Sequence, residues 1–260
     1  MDLGLQQRVA IVTGGSEGIG RATARALALA GARVVICARR TDVLAKAMHE
    51  LSAETGSEVL AMPVDVRDPA DLTRLVDGVM ARLGRIDILV NNAGTAAAAP
   101  FESVTDAAWQ DDLDLKLFAA LRLIRLAIPH MRAAGGGSIV NLLAISARQP
   151  AAGSMPSSVS RAAGLALTKA LSKELAPDQI RVNAVLIGLV KSGQHDRKRE
   201  ELGLAPDRYY ADLARKSKVP LGRVGEAEEA ADLITFLASP RAAFITGAAI
   251  NFDGGASAVA

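Results

Sequence analysis

Thr13-Gly14-Gly15-Ser16-Glu17-Gly18-Ile19-Gly20 joins a short apolar run, Arg8–Thr13, to an Ala/Leu-rich stretch, Ile19–Ala30. A strand-like run, a glycine turn and a helical pattern, in that order, open a βαβ unit. Each glycine has a physical use. Gly14 allows a tight turn, Gly18 lets the backbone approach a phosphate, and Gly20 permits close packing of the helix. The helix start then offers unpaired N–H groups to an anion.

The same alternation continues along the chain. Strands are predicted at Arg8–Thr13, Arg33–Ala38, Val59–Pro63, Ile86–Asn91, Ser138–Leu143, Arg181–Leu186 and Ala248–Asn251. Helices are predicted at Ile19–Ala30, Asp42–Glu54, Pro69–Leu83, Asp106–Met131, Ser158–Leu175 and Glu226–Ala238. Strands separated by helices of this length give a parallel sheet covered on both faces: an α/β fold in three layers, α/β/α, doubly wound. With no repeat and no linker, residues 1–260 read as one domain. Leu189–Lys218 breaks the alternation. It is polar, rich in Lys and Arg (Lys191, Arg197, Lys198, Arg199, Arg208, Arg215, Lys216), and contains Tyr209 and Tyr210. After a strand end this is the place for a substrate lid, or for a solvated loop with helical turns. The basic residues suit an acidic or thioester-linked substrate, or are surface charge offset by neighbouring Asp and Glu.

Composition narrows the function. Thirty Lys and Arg against 28 Asp and Glu leave no basic surfeit for nucleic acid. Aromatics at 3 % leave little for base stacking. The apolar runs are too short to span a membrane, and Met1-Asp2-Leu3 begins no signal-like segment. Cys37, the only cysteine, cannot form an internal disulfide, so a reduced, cytoplasmic setting is expected.

The glycine loop resembles that of the short-chain dehydrogenase/reductase family, and further matches follow in order. They are Asn91-Asn92-Ala93-Gly94, Arg181-Val182-Asn183-Ala184-Val185, Pro220-Leu221-Gly222-Arg223 and Asp253-Gly254-Gly255. Among subgroups the chain looks most like 3-oxoacyl-(acyl-carrier-protein) reductases. The resemblance implies a Rossmann-type fold, a small-molecule substrate, and a homotetramer or homodimer built on the helices at Asp106–Met131 and Ser158–Leu175. Ala162, Ala163, Ala166 and Ala170 would either admit a partner helix or face the sheet. It also implies a nicotinamide cofactor at Gly14, Ser16, Gly18, Ile19, Gly20, Asp65, Val66, Asn92, Ala93, Gly94, Arg161, Gly188 and Ser192. Asp65 would meet the adenine and Ser192 the nicotinamide amide. At the end of the second strand, Ala38 stands where an NAD-preferring member has an acid, and Arg39 and Arg40 follow. Two guanidiniums suit a 2′-phosphate, hence NADP(H) over NAD(H). Glu17 in the glycine loop pulls the other way.

The family's catalytic Asn, Ser, Tyr and Lys fall on Lys116, Ala144, Ser157 and Arg161. In the family, a Tyr hydroxyl donates the proton and a Lys four residues later lowers its pKa. A serine hydroxyl is a far weaker acid than a phenol, and an arginine with a pKa above about 12 does not give up a proton. Arg161 keeps a positive charge for the ribose hydroxyls. Ser146 lies two residues beyond Ala144, either as its replacement or as a turn residue. Lys116 is either an i, i+4 ion-pair partner of Asp112 or an ammonium near the nicotinamide that acts as acid. His195 and the tyrosines either reach inward or remain surface groups. Three functions stay open: an NADP(H)-dependent oxidoreductase with an unusual proton donor, a catalytically dead cofactor-binding or regulatory protein, and a lyase or isomerase on the same scaffold.

Overall fold

A computed structural model of the chain describes residues 2–259; Met1 and Ala260, the ends of the range read as one domain, lie outside the described residues. Seven parallel strands form the central sheet: β1 (Val9–Thr13), β2 (Arg33–Ala38), β3 (Val59–Pro63), β4 (Ile88–Asn91), β6 (Gly137–Ala144), β8 (Ile180–Ile187) and β9 (Ala249–Phe252). Their order is β3-β2-β1-β4-β6-β8-β9. The chain therefore reverses direction across the sheet between β1 and β4, where the register is Ala10↔Ile88 and Val12↔Val90. In an open α/β sheet a ligand crevice lies outside the strand ends at this reversal. Two short strands, β5 (Ala98–Ala99) and β7 (Met155–Pro156), pair antiparallel above it.

Strand residues alternate between two cores. Ala10, Val12, Val34 and Ile36 pack on one face with α1 (Gly18–Leu29), α2 (Thr41–Thr55) and α9 (Ala227–Ala238). Val9, Ile11, Val35 and Leu89 pack on the other with α3 (Pro69–Leu83) and α5 (Ala119–Ala133). Runs buried on both sides read as continuous apolar stretches, which is why they were legible as parallel strands. Local chemistry sets several helix ends. Asp68 accepts from the Ala70 N–H with Pro69 next to it, and Gly84 closes α3 in the left-handed region. Glu226 and Glu229 form a reciprocal cap on α9.

Two expectations need correction. The single helix expected over Asp106–Met131 is α4 (Asp106–Leu113), a π turn at Asp114–Phe118, and then α5. The strand predicted from Ile86 begins at Ile88, although the Asp87 N–H still donates to the Val9 carbonyl at 3.0 Å and the Asp87 carbonyl accepts from the Ser138 N–H at 2.8 Å. Asp87 is also held by its side chain. Its carboxylate accepts from Arg8, Arg85 and the Val9 N–H.

The segment after β8 is more ordered than a solvated loop. It holds α7 (Gly193–Glu201) and α8 (Pro206–Lys216). Tyr209 and Tyr210 are buried with Ala214, Val219 and Val224. On the 18-residue helix α6 (Ser157–Glu174) the buried positions are Ser158, Ser160, Gly164, Thr168 and Ser172. Ala162, Ala166 and Ala170 are exposed and Ala163 is half-buried. The alanine stripe does not face the sheet. No helix among the described residues is long and apolar enough to cross a membrane.

Candidate active site

The glycine loop is built from backbone. Gly14 and Gly18 take φ of 64° and 53°, in the left-handed region. A Cβ on Gly20 would lie 2.3 Å from the Gly14 carbonyl oxygen and 2.4 Å from Asn92 Nδ2, so only glycine fits there. Asn92 secures that loop from β4: its Nδ2 donates to the Thr13 carbonyl at 2.8 Å and to the Gly14 carbonyl at 3.1 Å. Thr13 Oγ1 in turn accepts the Asn92 and Ala93 N–H groups at 2.9 and 3.0 Å. A Cβ on Gly18, by contrast, would meet nothing within 4 Å. Helix α1 starts there, and no side chain caps it at Glu17. The helix end thus presents amide groups to open space, as an anion requires. Ser16 is buried and Ile19 half-buried in the same turn.

At the second strand's end, Arg39 and Arg40 are both exposed. Arg40 is ion-paired with Glu17, whose carboxylate also lies 3.9 Å from Arg197 of α7. Glu17 is therefore drawn into the arginine cluster rather than merely flanking it. Asp65 accepts from Arg67 Nη2 at 2.6 Å and from the Arg67 N–H at 3.0 Å. The Arg67 guanidinium holds its carboxyl below the usual range. Val66 is buried. Gly188 abuts Asp253, where a Cβ would come within 2.6 Å. Ser192 caps α7 by accepting the His195 N–H at 3.5 Å. Gln194, two residues on, accepts from the Ala96 N–H at 3.4 Å across the crevice. His195 Nδ1 lies 3.3 Å from the Tyr209 hydroxyl, and the Tyr210 hydroxyl donates to Asp196 Oδ1 at 2.7 Å. These three rings are engaged within their own segment. Burial holds His195 below its usual pKa and pushes Tyr210 up.

Of the four altered positions, Lys116 and Ser157 are joined directly. The π turn carries Lys116 inward, where its side chain is fully buried; extra-residue turns of this kind recur at functional sites. Lys116 Nζ is ion-paired with Asp112 and donates to Ser157 Oγ at 2.5 Å. Ser160 Oγ–H donates to the other carboxylate oxygen of Asp112 at 2.6 Å. Ser157, at the first residue of α6, accepts a further bond from the Ala97 N–H at 3.1 Å, so its oxygen receives two donors. The ion-pair reading of Lys116 is the geometry seen: Asp112 is its partner, and Nζ also reaches the Ser157 hydroxyl.

Arg161 Nη1 donates to the Leu142 carbonyl at 2.6 Å, and its Nη2 faces Gly94. Burial lowers the pKa of both cations; Asp112 opposes that for each, while Arg161 adds to it for Lys116. Two cations share one carboxylate here, so the cluster carries a net positive charge. Ser146 lies in a short turn, Ile145–Ala147, half-buried. It is not part of the hydrogen-bonded cluster among the described residues. Sequence reasoning found Asp112 only as a partner of Lys116 and missed Ser160. Its spacing of three from Ser157 was the available signal. It also missed the buried chain from Asn91 Nδ2 to Asn141 Oδ1 (2.8 Å) and from Asn141 Nδ2 to Thr168 Oγ1 (2.9 Å). Asn91 and Asn141 line one cavity together with Thr13, Lys116 and Arg161.

A family model described as enoyl-(acyl carrier protein) reductase matches residues 14–257. The human protein named dehydrogenase/reductase SDR family member 4 is 36 % identical over 96 % of this chain and 88 % of its own. This chain is a short-chain dehydrogenase/reductase. A Streptomyces virginiae relative, named as a ketoacyl reductase of monensin polyketide synthase, is 41 % identical over 95 % of this chain and 96 % of its own. Among solved structures, the dehydrogenase/reductase is similar to L-sorbose reductase of Gluconobacter frateurii, complexed with NADPH and L-sorbose. The TM-score is 0.95 at 36 % identity, covering 100 % of both chains. It is also similar to an NADPH-bound short-chain oxidoreductase of Pseudomonas aeruginosa, described as containing an atypical catalytic center. There the TM-score is 0.94 at 40 % identity over 99 % of both chains.

Proposed function

We propose that this dehydrogenase/reductase interconverts a carbonyl and an alcohol with NADP(H), and that its proton donor is Lys116 acting through Ser157. The observation that carries this reading is the 2.5 Å contact between the buried Lys116 Nζ and the half-buried Ser157 Oγ. A serine alone is too weak an acid. A serine whose oxygen already accepts an ammonium and an amide N–H has its own proton free to donate outward. As that proton passes to the substrate oxygen, Lys116 replaces it. Burial beside Arg161 makes Lys116 a better acid than a solvated lysine, while Asp112 and Ser160 fix its position.

The cofactor's fit rests on the open space at Gly18 and the uncapped start of α1. Gly14, Ser16, Gly18, Ile19 and Gly20 would hold the pyrophosphate, with Asp65 and Val66 at the adenine and Asn92, Ala93 and Gly94 along the opposite wall. Arg161 has guanidinium N–H groups to spare for the ribose hydroxyls. Gly188 and Ser192 would border the nicotinamide, which supplies the hydride when bound. Arg39 and Arg40 would take the 2′-phosphate, with Glu17 yielding Arg40. The NADPH complexes of the sorbose reductase and of the Pseudomonas oxidoreductase with its atypical center support this assignment. Residues 1–260 then act as one unit with 189–218 as the lid, and the exposed alanines of α6 would admit a partner chain in a homotetramer or homodimer.

The test is a fluorescence titration with NADPH and NADH, followed by NADPH oxidation with a panel of carbonyl compounds. NADPH should bind at least tenfold tighter than NADH. Ser157→Ala should lower kcat by roughly a hundredfold, the low end for losing a positioned acid. Firm NADPH binding without turnover of any carbonyl would replace this reading with a cofactor-sensing role.

A further inference from the structure

Ser157 opens an 18-residue helix, and the partial positive charge at that end favours a negative oxygen. The Ala97 N–H points at the same oxygen from 3.1 Å. Lys116 Nζ, 2.5 Å away, is within reach of its proton. A hydroxyl with a base in contact and donors around it has what an oxygen nucleophile needs. Serine–lysine pairs perform this task on folds unrelated to one another. A lysine acts as base only when neutral. Burial and the charge of Arg161 push Lys116 toward that state, and Asp112, which opposes them, divides its carboxylate between Lys116 and Ser160.

We propose that Ser157 is a nucleophile toward activated acyl groups, simple esters and thioesters, with Lys116 as its general base. Ser157 Oγ bonds to the acyl carbon while its proton passes to Lys116 Nζ. The tetrahedral adduct then collapses, breaking the bond to the leaving alcohol or thiol, which takes that proton from Lys116. Water next adds to the Ser157 ester and gives a proton to Lys116. Collapse breaks the bond from the acyl carbon to Ser157 Oγ, releasing the carboxylic acid, and the proton returns from Lys116 to Ser157 Oγ. No oxidant or reductant is consumed. The proposal uses the deprotonated form of the pair, the same form that would accept a proton from an alcohol undergoing oxidation. It stands on the cluster's geometry and not on a bound nicotinamide.

The experiment uses the full-length chain without nucleotide and p-nitrophenyl acetate as probe. Nitrophenolate release is followed together with intact-protein and peptide mass. The expected result is an initial burst, with one acetyl group per chain mapped to Ser157. Its rate should rise with pH through a single ionisation. Lys116→Arg keeps a cation on Asp112 but removes the base, and should slow acylation by at least about a hundredfold. Ser157→Ala should abolish the label, with thermal melts confirming that both variants fold. Absence of label at Ser157 in the folded wild type overturns the proposal, as does a label formed at an undiminished rate in Lys116→Arg. NADPH titration of the same preparations reads the oxidoreductase assignment separately.

Discussion

The two ends of the crevice are made from different materials. At the glycine loop, geometry is set by main chain: positive φ at Gly14 and Gly18, no room for a Cβ at Gly20, and carbonyls tied to the Asn92 amide. At the Lys116 cluster, geometry is set by side chains: Asp112, Lys116, Ser157 and Ser160 hold one another through contacts that cross three elements. A site made of backbone tolerates few residue types, so its sequence changes little. A site made of paired side chains can be replaced, provided the partners are replaced together.

Removing one member of the side-chain cluster should have the largest effect. Lys116→Met leaves the Asp112 carboxylate buried without its cation and should cost about 3–5 kcal/mol in urea unfolding. The double variant Asp112→Asn, Lys116→Met should recover most of that. If the single variant costs no more than the double, the cluster is not coupled and the contrast fails.

At the backbone end, Gly20→Ala should cost about 1–3 kcal/mol from overpacking against the Gly14 carbonyl, with NADPH binding lost. Gly18→Ala meets no neighbour. It should cost only about 1–2 kcal/mol for its left-handed backbone. Equal melting temperatures for the two alanine variants would refute the distinction.

Smaller effects sharpen the boundary between the regions. Arg40→Gln should weaken NADPH binding roughly tenfold, in line with the loss of one bond to a charged group, with NADH binding little changed. Glu17→Gln should shift the preference toward NADPH, since it releases Arg40. Calorimetric titration of both nucleotides checks the pair of expectations.

Burial holds the folded-state pKa of His195 below that of the unfolded chain. The unfolded state therefore binds more protons below about pH 6.5, the usual imidazole value. Its contribution to stability is fully present above that pH and is lost as pH falls toward the folded value. Melting temperatures of His195→Asn should show a flatter acid limb than the wild type.

How much of this could be read in advance follows from the same contrast. The parallel sheet was legible because runs such as Val9–Thr13 are buried on both faces. The glycine loop was legible because glycine is the residue its dihedral angles at Gly14 and Gly18 demand. At the Lys116 cluster, the sequence marked positions 116, 144, 157 and 161 as altered, but not that 116 and 157 touch. That contact depends on a π turn which no periodicity announced, and on a β5–β7 pairing of two residues each. Ser160 offered only its spacing of three from Ser157, which says nothing of the partner it bonds. Its partner Asp112 lies 48 positions away.

The Asp112 carboxylate, shared by an ammonium and a hydroxyl, has a consequence for descent. A lineage that altered Lys116 alone would have carried a stranded anion, and one that altered Asp112 alone would have carried two cations without a counter-charge. Neither single change leaves the buried charges balanced, so changes at these two positions are tolerated better together than alone. A Ser157→Tyr substitution would drive a phenol into the space where Lys116 Nζ already contacts residue 157. The centre thus resists piecemeal change: its members are exchanged more readily as a block than one residue at a time.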